Sequence, residues 1–289
     1  MFTVAHEDDA FPSVQAAVDV AVAGGEAATI RVRAGTWRGV VDVPPGAPAL
    51  RFIGEGAART RIVNDHHAGR IDPRTGEPFG TYGSATMFVR AEDFHAEALT
   101  IANDAGSVGQ AVALVVDSTR ASFRDVHLLG HQDTLYLRKA GTRAWFRDCR
   151  IEGTVDYIFG AATALFEGCA LHSVGDGYIT APSTPADQAH GFVFRGCTLT
   201  AAPGVARVYL GRPWRPHGAS HFADCRFDAP VPAAGWHDWG KPDNQMTARF
   251  SETGNSGPGS ALDGRVSWRL DGGAPPDPLT LMQGWRPFE

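Results

Sequence analysis

Most of the patterns that identify an enzyme or a binding protein from sequence are missing from this chain. No apolar run approaches the ~18 residues that a membrane-spanning helix needs. The basic excess of a nucleic-acid binder is also absent: net charge is -6, which excludes that class of partner and means an anionic ligand would need local arginines. The first residues lack the charged, apolar and cleavage-site regions of a signal peptide. Two locations stay open, the cytoplasm or the exterior after removal of a leader. There is no G-x-S-x-G elbow, and the 11 His show no H-E-x-x-H spacing. The 4 Cys include no C-x-x-C pair, which argues against a zinc or redox motif.

What is present is a repeat. It reads F-R-D-V-H-L from Phe123, F-R-D-C-R-I from Phe146 and F-E-G-C-A-L from Phe166. F-R-G-C-T-L follows from Phe194, F-A-D-C-R-F from Phe222, and a looser F-H-A-E-A-L begins at Phe94. The phenylalanines are 29, 23, 20, 28 and 28 residues apart. A recurrence in the twenties, built of short alternating strands and Gly-rich corners, marks a solenoid. No helical segment fits between the copies, which argues against leucine-rich or ankyrin arrays. The pattern predicts an all-β, right-handed parallel β-helix. Cys149, Cys169, Cys197 and Cys225 hold the same place in their repeats, so they read as a ladder of small apolar residues inside the coil.

The 289 residues are expected to form one domain. Residues 1–25 supply a strand at Phe2–Val4 and a capping helix over Ser13–Ala23, with Gly24-Gly25 as its stop. Residues 26–228 supply the coils. Residues 229–289 are read as loops packed on the solenoid, with Trp236, Trp239, Trp268 and Trp285 as packing residues and G-R-V-S-W-R-L (264–270) as a last strand. Asp65 to Gly83, polar and without a period, is expected to be a loop near the working face.

Two acids stand out. Asp133 lies in G-H-Q-D-T-L-Y and Asp156 in G-T-V-D-Y-I-F-G, each ten positions after a repeat phenylalanine. If the coils stack, the two lie about one strand spacing apart, ~5 Å. Carboxylates that close cannot both ionise cheaply, so one stays protonated while the other stays charged. Such a pair can supply a nucleophile and a proton donor together. V-D-Y-I-F reads as an apolar strand in which an unpaired acid is costly. Gln110, Gln132, Arg212 and Trp214 complete a set of amide donors, a cation and an aromatic plate.

With Q-A-V-A-L (110–114), G-H-Q-D-T-L-Y (130–136), G-T-V-D-Y-I-F-G (153–160) and L-G-R-P-W (210–214), the sequence resembles the pectin methylesterases, a pectinesterase family of carbohydrate esterases built as right-handed parallel β-helices. Y-I-T-A-P-S-T (178–184) resembles microbial members more than plant ones. The resemblance implies hydrolysis of galacturonate C6 methyl esters, with Asp156 as nucleophile and Asp133 as general acid, then base. It implies oxyanion donors in Gln110 and Gln132, and an Arg212 that holds Asp156 ionised with a depressed pKa. It also implies substrate contacts from Trp214, Tyr136, Tyr157 and Thr86, no cofactor or metal, methylated galacturonan as partner, and a monomer. The chain departs from the family where G-x-Y-x-E reads Gly35-Thr36-Trp37-Arg38-Gly39, and where Val115 replaces a frequent arginine. The rival readings are a β-helical polygalacturonase or pectate lyase, against which no G-H-G is present, and a non-catalytic binder of acidic polysaccharide.

Overall fold

A computed structural model describes residues 1–5 and 10–289. Its strands pair in parallel throughout and stack as coils of a right-handed parallel β-helix. A seven-stranded sheet runs from Val41–Val43 through Met87–Val89, Leu114–Val116, Leu135–Leu137, Ile158–Gly160 and Gly177–Pro182 to Val208–Gly211. The other faces are continuous, because His95–Asn103 and Ala121–Leu129 belong to both and bend between them.

The repeat becomes a ladder of rings. Phe123, Phe146, Phe166, Phe194 and Phe222 are in register on successive coils. Their rings stack at 4.6, 4.8, 4.5 and 4.3 Å. Burying each contributes about 2–3 kcal/mol. Two residues on, the chain turns a corner in the left-handed region at Asp125, Asp148, Gly168, Gly196 and Asp224. That backbone demand is why the position carries Asp or Gly. The four cysteines follow the corner, buried and free, and each thiol points at the carbonyl of a phenylalanine one coil below, as Cys197 does to Phe166 at 3.4 Å.

Three expectations shift. Phe94 is not the ring aligned with Phe123; Ala96 is, and Phe94 fills the space beside this small residue from two positions earlier. The last coil strand is Arg249–Thr253, paired with Ala219–Ala223, whereas residues 264–270 form turns and no strand. The V-D-Y-I-F segment is a strand only from Ile158; Asp156 precedes it in a left-handed turn at φ 53°.

Both ends of the coil are covered. The helix Val14–Gly24 buries Val14, Ala17, Val18 and Ala21, with Ser13 capping its start and left-handed Gly25 its end. At the far end Glu252 stands in register with Phe222 and pairs with Arg265, both nearly sealed from solvent. Trp236 stacks on Phe250 there at 4.4 Å and donates to Glu252. The chain then packs Leu281, Met282, Trp285 and Phe288 on Trp145, Leu165 and Val193, outside the barrel of the coil.

Candidate active site

The seven-stranded sheet carries the acids. Leu135 pairs with Ile158, so Asp133 and Asp156 occupy equivalent places one strand apart, and Asp133 donates its N–H to the Val155 carbonyl at 3.1 Å. Both acids have positive φ, 66° and 53°, a conformation that Asp tolerates better than most residues. The glycine three positions before each acid is sterically required. A Cβ on Gly153 would lie 2.2 Å from Tyr157 Cβ, and one on Gly130 2.7 Å from Thr134 Oγ1. These tight turns aim the two carboxyls out of the coil into one cleft of about 380 Å³.

The cleft also receives Gln110 and Gln132, which form a parallel bridge. The 65–83 segment stands at its edge, as expected for a loop near the working face. It places Thr81 and Tyr82 on the wall, and Ala68 donates to the Gln110 carbonyl at 2.8 Å. Its last residues, Gly80–Gly83, form a single helical turn. A larger hollow of about 740 Å³ lies behind Tyr82. Its arginines are already engaged, Arg70 with Asp65, Arg74 with Asp72 and Arg90 with Asp42.

Electrostatics separate the two acids. Arg212 grips Asp156 with both arms of its fork, Nε at 2.9 Å and Nη2 at 2.8 Å. To Asp133 it acts only as a charge through space. Burial, reinforced by the Asp156 charge, pushes Asp133 from 3.8 up to about 8. Asp156 is also raised, because burial outweighs the opposing pull of the Arg212 bonds. The depressed value expected for Asp156 is therefore corrected: the arginine limits the rise without reversing it. The two acids stay unequal, since of the pair only Asp156 has a bonded cation and Asp133 carries the extra repulsion.

The aromatic assignments need revision. Tyr136 and Trp214 line the cleft. Tyr157 does not: it is wholly buried, with its hydroxyl 3.4 Å from Ser173 Oγ. The left-handed turn at Asp156 changes the strand's parity and points the tyrosine inward. Thr86 is equally buried and donates to the Ala102 carbonyl at 2.8 Å, so it offers nothing to a ligand. Phe159 takes the place expected of Tyr157, stacked on Tyr136 at 4.2 Å with Trp214 edge-on to both. Its signal was in the sequence: the offset of 23 that equates Asp133 with Asp156 also equates Tyr136 with Phe159. Trp239, read as a packing residue, lies over Arg212 at the cleft. Val115 belongs to the apolar strip on the same face, and Trp37 is buried. Among the described residues, no cluster of three or more His, Cys, Asp or Glu is placed to hold a metal ion.

Comparisons with known proteins place this parallel β-helix, with its buried acid pair, one arginine and two amides, among the carboxylic ester hydrolases. The pectinesterase family model matches residues 2–272. Pectinesterase 31 of Arabidopsis thaliana is 39% identical, over 89% of this chain and 82% of its own length. Among solved structures, the carrot pectin methylesterase superposes with a TM-score of 0.83 at 30% identity, covering 91% of this chain and 84% of that one. The Aspergillus niger pectin methylesterase gives 0.87 at 28%, covering 98% and 93%. Other curated relatives are longer, and the chain spans about half of them, 55% and 45% in two cases. The chain belongs to the pectinesterase family.

Proposed function

We propose that this chain hydrolyses galacturonate C6 methyl esters, in pectin or in methylated oligogalacturonides, to free carboxylate and methanol. The Asp156 carboxylate attacks the ester carbonyl carbon, and the charge that develops on the carbonyl oxygen is met by the Gln110 and Gln132 amides. Protonated Asp133 gives its proton to the methoxy oxygen as that C–O bond breaks, so methanol leaves and an acyl-enzyme remains. Asp133, now a carboxylate, takes a proton from water, whose oxygen attacks the acyl carbon and frees Asp156. Arg212 keeps Asp156 charged and oriented, and Tyr136, Phe159 and Trp214 offer rings to the sugars.

The observation that carries this reading is the unequal pair: one acid bonded to a half-buried cation, its neighbour raised to about 8 without such a bond. A pectin methylesterase of the same fold, at a TM-score of 0.86, has been solved with a hexasaccharide, which supports an oligosaccharide-sized ligand. The test follows methanol and new reducing ends from methylated pectin and short methylated oligomers, with wild type, Asp156→Ala and Asp133→Ala. Methanol without reducing ends is expected from wild type, falling by ~10⁴-fold or more in Asp156→Ala. Reducing ends without methanol, or undiminished methanol release by Asp156→Ala, would refute it.

A further inference from the structure

We infer that Tyr178 is a positioning residue which, with Trp239, closes both faces of the Arg212 guanidinium, so that its fork stays on Asp156 and is not captured by free carboxylates of the polymer. The inference rests on the esterase reading above. The Arg212 carbon lies 3.9 Å from the Tyr178 ring centroid and 3.8 Å from that of Trp239. Its Nε–Nη2 edge is spent on the two Asp156 oxygens. Both faces and that edge of the planar guanidinium are therefore occupied.

The clamp is itself braced. Tyr178 is in register with Tyr209 and stacks on it at 5.2 Å and 14°. His237 meets both tyrosine rings edge-on, at 5.6 and 5.5 Å. Its Nδ1 accepts the Trp239 N–H at 2.9 Å. The two jaws are thus joined behind the arginine through one histidine.

Such restraint has a chemical purpose in this site. Each turnover leaves a carboxylate in the cleft, and arginine binds carboxylates bidentately. A mobile Arg212 would exchange Asp156 for the product, leaving the nucleophile unpaired and the polymer held. Trp239 lines the cleft, so its loss also removes a face available to a sugar. Tyr178 is half-buried and is not among the residues lining the cleft, so its loss reports on the clamp.

The experiment measures methanol release from methylated galacturonan, with and without added polygalacturonate, for wild type, Tyr178→Leu and Tyr178→Phe. For Tyr178→Leu, kcat is expected to fall about tenfold with KM not raised, and inhibition by polygalacturonate to set in at roughly tenfold lower concentration. Tyr178→Phe, which keeps the ring face, recovers both. Wild-type kcat and inhibition in Tyr178→Leu, or a Phe variant as impaired as Leu, overturns the inference while leaving the esterase reading intact. Should Tyr178→Leu fail to fold, Trp239→Leu separates the effects by direction: loss of the clamp strengthens polygalacturonate inhibition, whereas weaker inhibition, as loss of a sugar face alone gives, overturns the inference. Absence of methanol release by wild type removes the esterase reading and this inference with it.

Discussion

Replacing Asp133 by Asn is expected to stabilise the protein, and to do so only where aspartate in an unfolded chain is ionised. The unfolded chain releases this proton near 3.8, whereas the folded chain keeps it until about 8. Between these values the folded state binds more protons than the unfolded one, so stability falls as pH rises. Below the window both states are neutral and nothing is lost; above it the loss is complete and constant. At about 1.4 kcal/mol per pH step, the full loss is on the order of 6 kcal/mol. Asn is close in shape to the neutral acid and tolerates the left-handed backbone at φ 66°. The variant should therefore gain several kcal/mol above about pH 8 and little near pH 4. Urea unfolding of both proteins across this range measures the difference. A gain of equal size at both ends, or a less stable variant at high pH, would refute the reasoning. Methanol release should fall in the same variant, because the amide has no acid proton for the departing methoxy group.

Two further outcomes are expected. Gln132→Ala should lower kcat by about 10²–10³ with the melting temperature nearly unchanged, as loss of one oxyanion donor does; methanol-release kinetics check it, and an unchanged kcat would remove Gln132 from the chemistry. Phe194→Ala, which opens a gap between rings at 4.5 and 4.3 Å, should cost about 3–5 kcal/mol in urea unfolding; a cost below ~1 kcal/mol would mean that the stack contributes little.

The repeat was legible because parallel coils place the same kind of residue at the same point on each rung. Phenylalanine, corner Asp or Gly, and cysteine recur for packing and backbone reasons that act within a single turn. Legibility failed where a rung broke the rule. Ala96 stands in the ring ladder, and Phe94 answers from two residues earlier, which the motif alone misaligned. The final strand was hidden because its ladder position holds Glu252, whose charge is balanced by Arg265 from the tail. Tyr157 was misplaced because strand parity does not survive the left-handed turn at Asp156.

By itself the sequence determined the stacked-coil architecture, and with it the adjacency of Asp133 and Asp156, since a constant offset between repeats is a constant register in space. Only the tertiary structure decided which aromatic faces the cleft and how far burial lifts each acid. It alone showed that Arg212, 56 residues from Asp156 in sequence, is held flat between Tyr178 and Trp239. Those outcomes depend on how segments from different coils and from the tail exclude water around one point, and no local pattern of residues encodes that enclosure.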